Sequence, residues 1–161
     1  MNVTVQDVMQ TDVETIGPRQ SLAELQNALL KADVGALPVV SSGQLVGIAS
    51  RSDVVKRLQS ERVKAMRNIG LPQGAYLSSE DAIDLGDVIG EQLEKIRVEQ
   101  VMQSEVISVE PNDSVQVAAE LLAANHIHRL PVVDNGHLVG VISSHDIIGL
   151  IANKTFVPAD R

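Results

Sequence analysis

Cysteine is absent from the 161 residues, which removes disulfides and thiolate chemistry from consideration. Tryptophan is absent as well, and Tyr76 and Phe156 are the only aromatic residues, so a core built from the 44% hydrophobic content must be aliphatic. So few rings weigh against the stacking platforms on which single-stranded nucleic acid binds. A formal charge of -8 opposes a general polyanion-binding surface. No apolar run approaches the 18–20 or so residues that span a bilayer. The opening MNVTVQDVMQTD lacks the basic start and apolar stretch of a signal peptide. A soluble, cytoplasmic protein without nucleic-acid or membrane partners is therefore expected. Enzyme signatures are missing too: there is no G-x-S-x-G elbow, no G-K-[ST] phosphate loop and no Rossmann glycine fingerprint. No catalytic residue is assigned.

What the chain does contain is a repeat. Residues 5–58 align with 98–151 at a constant offset of 93 without a gap, and 18 of the 54 pairs are identical. Val8-Met9-Gln10 returns as Val101-Met102-Gln103, Leu37–Val40 as Leu130–Val133, and LVGIASRSD at 45–53 as LVGVISSHD at 138–146. The division is a first repeat at 1–58, an insert at 59–97 and a second repeat at 98–161.

Each copy reads as short strand, helix, strand, strand, helix. The extended pieces VETI and VISV precede prolines, which hold the preceding residue out of the helical region. Ser21 with Glu24 forms a capping box ahead of an apolar face of Leu22, Leu25, Leu29 and Leu30. The matching helix of the second copy uses Val115, Ala118, Leu121 and Leu122. ALPVV and RLPVV are β-branched strands, and a glycine-containing turn of four or five residues leads each into a second strand. Ser50 and Ser143 then open the last helices. One copy of this size makes a marginal core. The expected fold is mixed α/β, with the two copies packed around a pseudo-two-fold axis and a cleft between them. In the insert, SERVKAMRNIG extends the preceding helix to a stop at Gly70 and Pro72, and LPQGAYLSS is loop. EDAIDLGDVIGEQLEKI reads as a helix with Leu85, Val88, Ile89, Leu93 and Ile96 on its apolar side. Six acidic residues between Glu80 and Glu94 form a solvated face or a partner site.

The repeated Ser-x-x-Asp has two readings. Ser50 with Asp53, and Ser143 with Asp146, satisfy a helix N-terminus reciprocally. Alternatively, a short carboxylate beside unsatisfied N–H groups can accept a vicinal diol such as ribose, and the serine can donate to ribose or phosphate. The glycines at 47 and 140 would then let a ligand approach the backbone. His128 and Arg129 enter a strand of the second copy where the first has Gly35 and Ala36. Arg129 offers fixed charge and a donor fork for phosphate, and His128 an imidazole donor. This asymmetry fits one anionic group shared between the copies. His145 is a helix-start surface residue or a secondary phosphate neighbour. The histidines at 126, 128, 137 and 145 lack metal-ligand spacing, so no metal is expected.

Taken together, VMQTDVETIGP with VMQSEVISVEP, GALPVV with HRLPVV, and GQLVGIASRSD with GHLVGVISSHD resemble the cystathionine beta-synthase (CBS) domain family in its stand-alone two-repeat form, the Bateman module. The resemblance implies a non-catalytic regulatory dimer that binds an adenosine-containing molecule: AMP, ADP or ATP, less often S-adenosylmethionine, NAD or a cyclic dinucleotide. It carries the ribose-holding aspartate onto Asp53 and Asp146 and the hydroxyl residue onto Ser50 and Ser143. The adenine side falls on Thr15-Ile16 and Ser108-Val109, and the phosphate-binding pair on His128-Arg129, with the Asp53 site favoured. The alternative is a structural or protein-interaction dimer that grips a target through the insert and takes no ligand.

Overall fold

A computed structural model describes residues 3–70 and 78–153, apart from the side chains of 79, 81 and 83–85. The expected loop, but for its last two residues, lies outside this range, as do Pro72, Tyr76 and Phe156. The described residues sort into two units that cross the sequence repeats. The first unit holds 14–41, 46–70 and 78–104; the second holds 3–13, 42–45 and 105–153.

In the first unit, Ser21 caps α1 (Leu22–Lys31): the Glu24 N–H donates to its hydroxyl, and the Ser21 N–H donates to the Glu24 carboxylate at 2.7 Å. The expected box is present. Leu22, Leu25 and Leu29 are buried, whereas Leu30 is 62% exposed, so the apolar stripe is narrower than its sequence suggested. β1 (Ala36–Ser41) and β2 (Gln44–Ser50) follow. The expected first strand is reduced to one parallel bridge, Ile16 to Val39. The hairpin turn is also tighter than expected. Only Ser42 and Gly43 separate the strands, with φ of 51° and 82°, the left-handed pair that a two-residue turn between twisted strands requires.

α2 (Arg51–Asn68) runs into the insert and stops at Gly70, whose φ is 74°. α3 (Ser79–Lys95) then returns to pack on α1 and α2. Ile89 packs against Ala65 and Met66, while Leu93 and Ile96 join the main core of Leu22, Leu25, Leu29 and Val39. Val88 is 45% exposed and does not belong to this face. Glu61 is buried in α2 between Arg57 Nε at 3.1 Å and Lys64 Nζ at 2.9 Å, the pairing a buried carboxylate needs.

In the second unit, α4 (Val115–Ala124), β3 (Arg129–Asp134), β4 (His137–Ser143) and α5 (Ser144–Ala152) repeat the pattern. β3 pairs antiparallel with β4, Arg129 opposite Ser143 and Asp134 opposite His137, with a bulge between Val132 and Val133. Leu130, Val132, Ile142, Ala118 and Leu122 form the core, and Val5 from the start of the chain completes it. Val5 is fully buried, and its N–H donates to the Asp113 carbonyl. Val98, 93 residues later, is likewise fully buried in the core of the first unit. Each Val-x-x-Val-Met-Gln segment therefore straps a unit built mainly from the other repeat.

Candidate functional site

The straps end where β2 runs into α2 and where β4 runs into α5. Gln103 and Ile48 exchange backbone hydrogen bonds of 2.8 and 2.9 Å, and Gln10 and Val141 do the same at 2.9 Å each. This close approach explains the glycines of the repeated phrase. A Cβ on Gly47 would stand 2.7 Å from Met102 Sδ and 2.9 Å from the Gln103 carbonyl oxygen; on Gly140 it would meet Met9 and Gln10 at the same distances. The room beside each glycine is thus filled by the strap, not left for a ligand as the sequence suggested.

One turn on, each serine caps its helix. The Ser50 N–H and hydroxyl both donate to Asp53 Oδ2, at 2.8 and 2.6 Å, and the Asp53 N–H donates to the Ser50 oxygen at 3.3 Å. Ser143 and Asp146 repeat this with 2.8, 2.5 and 3.2 Å. Each serine proton is thereby spent on its own aspartate. The second oxygen of each aspartate faces away from the cap and meets a strap glutamine. Gln103 Nε2 donates to Asp53 Oδ1 at 3.3 Å, and Gln10 Nε2 to Asp146 Oδ1 at 2.9 Å. Asp53 is buried and Asp146 half-buried. Burial pushes the Asp146 carboxyl up. The Ser143 hydroxyl, the Gln10 amide, the Ser143 N–H and the charge of His145 together outweigh it, and the group sits below its ordinary range.

The remaining predicted residues divide by exposure. Thr15 and Ser108 are exposed, but the neighbouring Ile16 and Val109 side chains lie in the two cores, so only the backbone of those two can face a ligand. His128, Arg129 and His145 are exposed on the second unit. Among the described residues Arg129 forms no ion pair. Thr15, Ile16, Ser50 and Asp53 belong to the first unit, and Ser108, Val109, His128, Arg129, Ser143, His145 and Asp146 to the second. Among the described residues, no group of three or more His, Asp or Glu is arranged to hold a metal ion. No described helix is long and apolar enough to cross a membrane. Gln10 and Gln103 escaped the sequence reading. Their signal is the identity of the two Val-Met-Gln triplets at 8–10 and 101–103.

A cavity of about 560 Å³ opens elsewhere on the second unit, with Leu122, Ile127 and Ile147 among its apolar lining and His126, His128 and Ser144 supplying polar groups. Of the predicted site residues only His128 lines it. At the corresponding place in the first unit Arg51 reaches toward the Leu29 carbonyl at 3.5 Å and Asp33 at 3.6 Å. Serine and histidine stand at 144 and 126 in place of that pair.

The phrase glycine, serine, aspartate thus works as one junction, twice over, in a mixed α/β repeat. The family model for the CBS domain matches residues 5–60 and 98–153. The chain belongs to the CBS domain family. Its two CBS repeats stand in tandem, and the CBS domain-containing protein YhcV of Bacillus subtilis is 30% identical over 144 residues covering 89% of this chain and 82% of that one. The structure of CBSX2 in complex with AMP superposes on this CBS pair with a TM-score of 0.68 at 23% identity, covering 95% of this chain and 98% of that one. The CBS domain pair of protein MJ0100, in complex with 5′-methylthioadenosine and S-adenosyl-L-methionine, gives a TM-score of 0.65 at 24% identity over 92% of this chain and 99% of that one. At these identities the two structures establish the shared fold.

Proposed function

We propose that this CBS pair is a non-catalytic, cytoplasmic sensor of an adenosine-containing nucleotide, with AMP, ADP or ATP favoured over S-adenosylmethionine, NAD and cyclic dinucleotides. One observation carries the reading: in both repeats the cap uses only one oxygen of the aspartate and leaves the other outside the helix, where a ribose hydroxyl can donate to it. Exposed Thr15 and Ser108 supply hydroxyls for the base side, and Arg129, without an ion pair among the described residues, supplies charge for phosphate beside the His128 imidazole donor. The AMP, 5′-methylthioadenosine and S-adenosyl-L-methionine seen with CBSX2 and MJ0100 lend the class of ligand.

Titration calorimetry against each of these nucleotides tests the proposal. Saturable binding is expected for at least one. Asp53→Ala or Asp146→Ala should then weaken it roughly ten- to a hundredfold, the loss of a charged hydrogen-bond acceptor of about 1.5–3 kcal/mol. No binding at millimolar ligand refutes the sensor.

A homodimer is the second element of the proposal. Aliphatic side chains are exposed at Leu30 and Val55 in the first unit and at Ile148 and Ile151 in the second, and Val55 and Ile148 are 93 residues apart in the repeat. Self-association through repeated apolar positions gives closed two-fold pairs. Sedimentation velocity should show a species of twice 17.2 kDa, and Ile148→Asp should shift it to the monomer. A wild-type monomer at all working concentrations refutes the dimer. The insert reading has less support, because Ile89 and Leu93 of α3 and Ile96 just after it are already packed within the chain.

A further inference from the structure

The lone pairs of the two aspartates can be counted. An ionised carboxylate offers about four acceptor sites, two on each oxygen. On Asp53, Oδ2 already accepts from the Ser50 N–H and hydroxyl, and Oδ1 accepts from the Gln103 amide. On Asp146, Oδ2 accepts from Ser143 twice and Oδ1 from Gln10. One acceptor site is left on each residue. A single hydroxyl can use it, but a vicinal diol donating both protons needs two.

We propose that Gln10 and Gln103 are gates: a vicinal diol engages Asp146 or Asp53 with both hydroxyls only by displacing the glutamine amide from Oδ1. This rests on the reading of the aspartates as ribose acceptors and deepens it. The gate sets affinity and makes the site selective. A ligand with one hydroxyl binds beside the closed amide, and a ligand with two opens it. Opening also carries the signal outward. Each glutamine is the last residue of its strap, held by backbone bonds to Ile48 or Val141, so a displaced side chain bears on the segment whose methionine packs over Gly47 or Gly140. The two gates are unequal. The amide lies 3.3 Å from Asp53 Oδ1 and 2.9 Å from Asp146 Oδ1, which makes the Asp53 gate the easier to open.

The test compares AMP with 2′-deoxy-AMP on wild type, Gln103→Met and Gln10→Met. Methionine keeps the length of the side chain and removes the amide, and the backbone bonds of the strap do not depend on the side chain. Gln103→Ala and Gln10→Ala serve as second variants with the same expectation. Asp53→Ala and Asp146→Ala first identify which aspartate AMP uses. Removing the glutamine at that aspartate should tighten AMP about three- to tenfold, the equivalent of one competing hydrogen bond. Affinity for 2′-deoxy-AMP should stay within twofold of wild type. AMP binding at the aspartate that is unchanged or weaker without the glutamine, or an equal gain for both ligands, overturns the gate and leaves the sensor standing. Absence of AMP binding in wild type and every variant overturns the AMP reading, and the gate falls with it.

Discussion

Val5→Asp is expected to lower stability by on the order of 4 kcal/mol, and to do so in the half of the chain farther from the substitution in sequence. Val5 is fully buried among Val109, Leu130, Val132 and Ile142, with no cation in that cluster to pair a carboxylate. An uncompensated buried charge costs several kcal/mol even after the group takes up a proton or local structure relaxes. The loss should appear as faster amide hydrogen exchange across 105–152, with amides of 22–31 and 36–41 much less affected. Val98→Asp should give the mirror result, weakening the Leu22, Leu25 and Val39 core. If Val5→Asp loosened 14–41 first, or left urea unfolding unchanged, the assignment of each strap to its unit would be wrong.

Gly140→Ala comes next in size, with an expected cost of about 1–3 kcal/mol by urea unfolding, the range for forcing an extra carbon into a filled space. The new carbon would meet Met9 Sδ at 2.7 Å and the Gln10 carbonyl oxygen at 2.9 Å. The methionine can turn aside. The carbonyl cannot, because it accepts the Val141 N–H and must break that bond to retreat. Gly47→Ala meets the same pair in Met102 and Gln103. Gly86→Ala is the control. It lies in α3 with nothing within 4 Å of the added carbon and should stabilise by about 0.5–1 kcal/mol through helix propensity alone. A Gly140→Ala protein as stable as wild type would mean that the strap does not sit where described.

Much of this architecture was legible in the sequence because local chemistry repeats faithfully. Ser21 with Glu24, Ser50 with Asp53 and Ser143 with Asp146 announced their caps, since a box needs only two residues at fixed spacing. The end of α2 at Gly70 and the span of α3 were readable for similar reasons. Leu30 and Val88 were misplaced because a periodic apolar stripe does not reveal how far a helix is rotated toward its neighbours. The hairpins were read too loosely: Ser42-Gly43 and Asn135-Gly136 each form a complete turn, and the residues beside them extend the strands. The exchange of straps was invisible, because a tandem repeat reads identically whether each segment closes its own copy or the other. The role of Gly47 and Gly140 stayed hidden for the same reason, as their neighbours come from about 55 and 130 residues away in the chain. Of the site, the aspartates and serines were legible, whereas Gln10 and Gln103 needed coordinates to show what their amides touch.

The long-range partnership of Val5 with Asp113 has a consequence for how the chain is made. The ribosome releases residues in order, and 113 follows 5 by 108 positions. At about 5–20 residues per second, the amino-terminal segment waits roughly 5–20 s, its valine and methionine wetted, until its cradle has been synthesised. The first unit needs only the earlier 104 residues and can condense meanwhile. Nascent chains stalled before about residue 140 should therefore carry an uncovered apolar hook, the kind of surface a trigger-type chaperone holds.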